Sequence, residues 1–359
     1  MFRVCIYFED IRGDNILIMP TLCNDSISRG EKKRKIETIS SNASSDEVFE
    51  YTGNGQVVPK DVVSVRFHSS VVDVDDNAFR DCTKLQEVEF NEGLKKIGQS
   101  AFEGCNSLQR VTLPSTLTEI GNMAFRYCNN LKRVTLNEGL QKIGRHSFYQ
   151  CSMETINCPS SLTEIGASSF QDNVHLMDIV LNDGLSKIKR GAFSGCKALK
   201  SITLPSTVIK IDDCTFKGCT ELRQVVLNKC LKKIGMEVFL ACRGLERIVI
   251  PSTVTHIGKG SFLDCRVLVS VTLNEGLQMI GGGAFEICSS LRSITIPSSV
   301  TEISDNAFGC CTNLREVIFN GKIKRIWNSS FYRCGMQSIR LPHIKVIGRS
   351  AFQGCMSLR

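Results

Sequence analysis

The chain repeats one sentence with small changes of wording. Leu108 to Cys128 reads LQRVTLPSTLTEIGNMAFRYC, and Leu131 to Cys151 reads LKRVTLNEGLQKIGRHSFYQC. Aligned on one phenylalanine, the copies fall at Phe79, Phe102, Phe125, Phe148, Phe170, Phe193, Phe216, Phe239, Phe262, Phe285, Phe308, Phe331 and Phe352. Most intervals are 23 residues, with 22 or 21 where a loop is trimmed. The repeats fill residues 62–357, and Leu358 and Arg359 open a fourteenth. A period this long and this regular specifies a stack of like units rather than a globule. A second period spans two copies: loops led by proline (Pro114, Pro159, Pro205, Pro251, Pro297, Pro342) alternate with Asn-Glu-Gly-type loops (Gly93, Gly139, Gly184, Gly276).

One copy shows why the units must stack. Alternation in L-x-x-V-x-L sends Val111 and Leu113 to one side and Arg110 and Thr112 to the other. Proline or Asn-Glu-Gly turns the chain, Leu117 and Ile120 point back inside, Gly121 permits another turn, and Phe125 fills the interior from a short helical or irregular arc. About six buried side chains per copy do not offset the backbone entropy of ordering 22 or 23 residues. A lone copy is therefore unfolded, and copies that share faces fold together.

The pattern L-x-x-V-x-L…L-x-x-I, then Phe-x-x-Cys-x-x-Leu, resembles the BspA-like (Treponema-type) leucine-rich repeat family over about five-sixths of the chain. Residues 51–61, YTGNGQVVPKD, resemble the cap segment that precedes the first repeat in such proteins of microbial eukaryotes. The resemblance implies a curved leucine-rich repeat solenoid of about 13 rungs, with a parallel β-sheet on the concave face and short strands, turns or helical arcs on the other side. It also implies binding rather than catalysis, and bacterial members are frequently surface antigens or adhesins.

Eighteen cysteines would suggest a disulfide framework in a small secreted protein. Twelve of them share one repeat position: Cys82, Cys105, Cys128, Cys151, Cys196, Cys219, Cys242, Cys265, Cys288, Cys311, Cys334 and Cys355, with Asn173 as the single exception. Stacked at strand spacing they form a line with neighbours roughly 5 Å apart. A line does not converge on a tetrahedral metal, and parallel side chains would have to turn to pair. The column reads as packing beside the phenylalanines. Cys158 replaces a strand leucine and should be buried, whereas Cys214, Cys230 and Cys310 are candidates for exposed thiols.

At the amino terminus, Glu9, Asp10, Arg12 and Asp14 interrupt the apolar start, so it does not read as a signal peptide. No apolar run reaches membrane-spanning length. The expected location is cytoplasmic. A nuclear one would follow if Lys32, Lys33, Arg34 and Lys35 act as a basic import motif, and an extracellular one if a signal sequence is missing from the chain's start. A solvated basic run explains the same four residues. Residues 1–50 read as mostly disordered, 51–61 as the cap segment, and 62–359 as the solenoid, which stops within its fourteenth repeat.

Net charge is +8 on 359 residues, below what nucleic-acid binding demands. The strand positions expected on the concave face are mostly Thr, Ser and Val, with Arg110, Arg133 and Arg247 among them as candidate partner contacts and no aromatic ring to stack a base. On the other edge, Lys96, Glu119, Lys142, Glu164 and Lys187 alternate in sign, which predicts a ladder of ion pairs. Lys187, Lys210, Lys233 and His256 then follow one another with no acid at that position, a candidate dock for an acidic partner.

The five histidines fall at different repeat positions, and no nucleophilic, paired-carboxylate or phosphate-loop pattern appears. The residues call for no cofactor or metal. They favour a non-enzymatic protein-binding scaffold or recognition module with protein partners. The competing readings are an extracellular adhesin-like or structural protein, and the repeat portion of a longer receptor or enzyme.

Overall fold

The computed structural model describes residues 48–341 and 344–359. Lys32, Lys33, Arg34 and Lys35, and all but the last three residues of the 1–50 segment, lie outside the described residues, as do Pro342 and His343. Ordered strand begins at Phe49–Tyr51, two residues ahead of the expected cap.

The chain is a parallel β-solenoid of about 12 turns. Each rung has three sides. Alternation in the Arg110–Thr112 strand buries Val111 and exposes its neighbours, which makes the first side. The two-residue strand Glu119–Ile120 makes the second, with Ile120 fully buried. An arc of turns returns Phe125 and Cys128 to the interior as the third. Each residue stacks on its counterpart, Val111 against Val134 and Ile120 against Ile143, so one pattern of burial propagates from rung to rung.

The arc takes the irregular of the two expected forms, because among the described residues it contains no helix. Two positions per arc adopt the left-handed region, as at Met123 (φ 57°) and Tyr127 (φ 62°). Left-handed residues interrupt an α-helix, and alternate N–H groups turn outward instead. Met123, Phe125 and Tyr127 donate to Arg145, Ser147 and Tyr149 of the next rung at 2.7–2.9 Å, while Arg126 and Cys128 bond back three residues. The arc thus forms a third inter-rung ladder. Its unfavourable φ values are offset by bonds a helix would have kept within the rung.

Inside, the phenylalanines stack face over face from Phe79 to Phe352, with centroids 4.9–5.6 Å apart and planes within 19° of parallel. Tyr51 closes the amino-terminal end of this stack, 5.0 Å from both Phe67 and Phe79. Its hydroxyl donates to Asp75 at 2.8 Å, and burial pushes its pKa up to about 12.

Neither strand side is a continuous sheet. On the first side, three strands pair at the start (Phe49–Tyr51, Ser64–Phe67, Glu87–Glu89), and thereafter strands pair only two by two. Every lapse precedes a rung led by Pro114, Pro159, Pro205, Pro251 or Pro297. The proline nitrogen has no hydrogen to donate to the rung before it. The two-copy period read in the sequence is therefore a period of strand pairing.

The second side runs unbroken from Asp73–Val74 to Lys187–Ile188, again from Lys210–Ile211 to Met279–Ile280, and again from Glu302–Ile303 to Val346–Ile347. Close stacking there rests on glycine: a Cβ on Gly121 would sit 2.6 Å from the Ile97 carbonyl oxygen. The ladder lapses where that column reads Asp212 and Ser304, and the Ser304 hydroxyl donates to Ile280 O at 2.6 Å instead. A Cβ alone is tolerated, since Lys189 and Trp327 hold the same position and keep their N–H bonds to the preceding rung at 3.0 and 2.9 Å. Both lapses coincide with lapses on the first side. At these two junctions only the arcs carry a regular backbone ladder, for example Phe193 N–H to Thr215 O at 2.9 Å and Phe285 N–H to Ala307 O at 2.8 Å.

Candidate functional site

The cysteine column is more than packing. From Cys105 to Cys355 each thiol donates to the carbonyl of the phenylalanine one rung earlier, at 3.0–3.2 Å. Burial holds the thiols protonated, pushing Cys219 up to about 12 and Cys128 well above its ordinary range. Asn173 keeps the bond where cysteine is absent, its amide donating to Phe148 O at 2.7 Å. All 16 described cysteines are free thiols; Cys158 is buried, Cys230 is exposed, and Cys214 and Cys310 are half-buried. Among the described residues no three His, Cys, Asp or Glu side chains group as metal ligands. The column is lattice, not site.

The second side carries the alternating charges as ion pairs. Glu119 lies 4.0 Å from Lys96 and 3.5 Å from Lys142, and Glu164 lies 3.7 Å from Lys187. The lysines are exposed and the glutamates half-buried, so the pairs add little stability and serve register. Two of the four residues of the expected basic run are answered by acids. Lys187 is answered by Glu164, and Lys210 reaches Asp212 at 2.7 Å, an acid that sits in the glycine column and was invisible to a reading of the lysine column alone. Lys233 and His256 have no ion-pair partner among the described residues, and His256 Nδ1 meets Thr255 Oγ1 at 2.8 Å. The backbone ladder is also interrupted between Lys187 and Lys210. Lys210, Lys233 and His256 stand in register on three successive rungs, and only Lys187 lies across the interrupted ladder from them.

The first side is more open. Arg110 and Arg133 stack in register, with no carboxylate paired to either among the described residues. Arg247 stands apart from them, beside the lapse between the Gln224–Val226 and Arg247–Val249 strands. There a groove of about 580 Å³ opens, lined by Val226, Leu227, Lys229, Arg247, Val249 and Ser252 among others. Val226 is 42% exposed and Val249 59%, at the outward position that holds threonine in five other rungs and an exposed valine also at Val180. Two signals in the sequence pointed here: valine for threonine at the outward position, and Asn228-Lys229-Cys230 in place of Asn-Glu-Gly. Among the described residues no helix is long and apolar enough to cross a membrane.

The comparisons with known proteins agree with this geometry. A leucine-rich repeat protein of Bacteroides ovatus is 28% identical, with a TM-score of 0.73 over 87% of this chain and 85% of its own. A leucine rich cell surface protein of Faecalibacterium prausnitzii is 25% identical, with a TM-score of 0.51 over 86% of this chain and 88% of its own. A leucine-rich repeat protein of Eubacterium ventriosum, 22% identical with a TM-score of 0.51, covers 77% of this chain and 84% of its own and shares the fold. No curated protein matches the chain in sequence. The BspA type Leucine rich repeat region matches in six copies, over residues 59–177, 165–267 and 232–359. With rungs, phenylalanine stack and cysteine column in one register throughout that span, the chain belongs to the BspA-type leucine-rich repeat family.

Proposed function

We propose that this chain is a non-enzymatic recognition module that presents its first strand side to a protein partner. The observation that carries the reading is the groove beside Arg247, where two neighbouring rungs with lapsed strand pairing turn the apolar Val226 and Val249 outward. Exposed apolar side chains next to an unpaired arginine are what a protein surface can bury with gain, and arginine is enriched among the residues that dominate such contacts. The rest of this side, small and β-branched, gives a flat approach to it. On the second side Lys96, Lys142, Lys187 and Lys210 are already answered by acids.

Site-specific photo-cross-linking in the source cells tests the choice of side. A photoreactive residue at exposed Thr203 is expected to capture a discrete partner, and one at exposed Lys233 is expected to capture none. Capture from Lys233 alone would move the binding surface to the second side.

The same proposal places the chain in a reducing compartment, the cytoplasm first. Its support is Cys230, an exposed and unpaired thiol of a kind suited to reducing conditions. The column thiols are buried hydrogen-bond donors in any compartment and carry no such information. Acid-trapped protein, alkylated under denaturing but non-reducing conditions, is expected to be modified at Cys214, Cys230 and Cys310. Disulfide or mixed-disulfide at Cys230 would favour the second reading, a surface protein, in keeping with the cell surface protein of Faecalibacterium prausnitzii that the chain resembles.

A further inference from the structure

The groove has a built polar end. Six asparagine-led loops each precede a proline-led copy; Asn320 is followed by Gly321, and at four of the other five the residue after asparagine is acidic: Glu92, Glu138, Asp183 and Glu275. The three glutamates clasp the next rung. Glu92 accepts from Ser115 N–H and Oγ at 3.2 and 2.9 Å. Glu138 accepts from Ser160 N–H and Oγ at 3.1 and 2.9 Å and from Ser161 N–H at 3.3 Å. Glu275 accepts from Ser298 N–H and Oγ at 3.0 and 2.8 Å and from Ser299 N–H at 3.3 Å. Those bonds hold the carboxyls of Glu138 and Glu275 below their ordinary pKa. The turn after proline is thus a carboxylate receptor, built from two backbone N–H groups and a hydroxyl.

At the fifth loop the charge is reversed. Lys229 stands where the glutamate stands elsewhere, ahead of Pro251, Ser252 and Thr253. The turn keeps its shape: Thr253 Oγ1 donates to Leu231 O at 2.7 Å, as Ser161 Oγ does to Leu140 O at 2.9 Å and Ser299 Oγ to Leu277 O at 2.7 Å. The receptor is retained while its own carboxylate has become an ammonium. Lys229 and Ser252 line the groove together with Arg247, Val226 and Val249.

Resting on the strand-side reading above, we propose that this groove binds an extended acidic segment of a partner protein. One glutamate or aspartate of that segment takes the place of the missing clasp. It accepts from Ser252 N–H and Oγ and from Thr253 N–H, with Lys229 and Arg247 supplying the opposing charge. Apolar residues beside that acid cover Val226 and Val249. Charge complementarity selects the occupant, since two cations and a carboxylate receptor face one apolar groove.

The test uses two labelled, end-capped peptides, Gly-Val-Glu-Val-Glu-Val-Gly and its glutamine counterpart, read by fluorescence anisotropy. The glutamate peptide is expected to bind the full chain about tenfold or more tightly than the glutamine peptide, as hydrogen bonds to a charged group imply. Its affinity should fall as salt is raised. Lys229→Glu restores the loop that three other rungs already carry, so it should fold, with thermal unfolding as the check, and lose about tenfold or more in affinity. Arg247→Gln should lose affinity as well. Equal binding of the two peptides, no binding of either, or undiminished binding by Lys229→Glu would each overturn the proposal. Cross-linking from Thr203 without acidic-peptide binding removes this inference alone, whereas failure to cross-link from Thr203 removes the reading beneath it.

Discussion

Phe239→Ala is expected to destabilise its rung by about 3–5 kcal/mol, because it opens a cavity in a continuous stack. The ring lies 5.6 Å from Phe216 and 5.3 Å from Phe262 and is wholly buried. In a solenoid that loss stays local, since each rung touches only its neighbours. Trp327 is the only tryptophan in the chain and lies beyond both junctions at which the strand ladders lapse. Its fluorescence therefore reports the carboxy-terminal segment, while circular dichroism reports every rung. In urea the dichroism midpoint should drop more than the Trp327 midpoint, so that one transition becomes two. A single coincident transition, shifted by less than about 1 kcal/mol, would show that the stack does not carry the stability assigned to it.

Asn173→Ala is the second large effect, expected at roughly 2–4 kcal/mol, because it strands buried backbone groups rather than removing bulk alone. The preceding copy is one residue short, Cys151-Ser152-Met153 against Cys128-Asn129-Asn130-Leu131. The Asn173 side chain spans the defect. Its amide nitrogen donates to Phe148 O and Phe170 O at 2.7 and 3.0 Å, and its oxygen accepts from Met153 N–H at 3.3 Å. A thiol could replace the first of these bonds but offers no comparable acceptor for the last. Asn173→Cys should therefore recover about half of the loss, with the order wild type, Cys, Ala in denaturant midpoint. If the cysteine variant equals or exceeds wild type, the bond to Met153 contributes nothing.

Much of this was legible in the sequence, because the repeat prints its burial pattern rung after rung. Val111, Ile120 and Phe125 are inside as their spacing requires, and Lys96, Glu119 and Lys142 pair as their alternation requires. The arc was not legible. Its left-handed positions are filled by Ser100, Met123, His146 and Glu237 as readily as by Gly191, so residue type carries no signal, and the geometry is imposed by bonds between rungs. The thiol bonds were missed because size and burial account for a cysteine without reference to its weak hydrogen. The partner of Lys210 was missed because Asp212 belongs to another column. The groove was missed because a proline's absent N–H acts on the rung before it, not on its own.

The two junctions where both strand ladders lapse divide the molecule into three stiff lengths in series. The first ends at Lys187–Ile188, the second runs from Ser201–Thr203 to Met279–Ile280, and the third begins at Ser293–Ile296. An applied bend or torque concentrates at such couplings, because fewest bonds resist it there. The solenoid can therefore bend at two points without breaking a rung. The groove at Arg247 lies within the middle length, away from both, so its geometry is held while the lengths on either side comply.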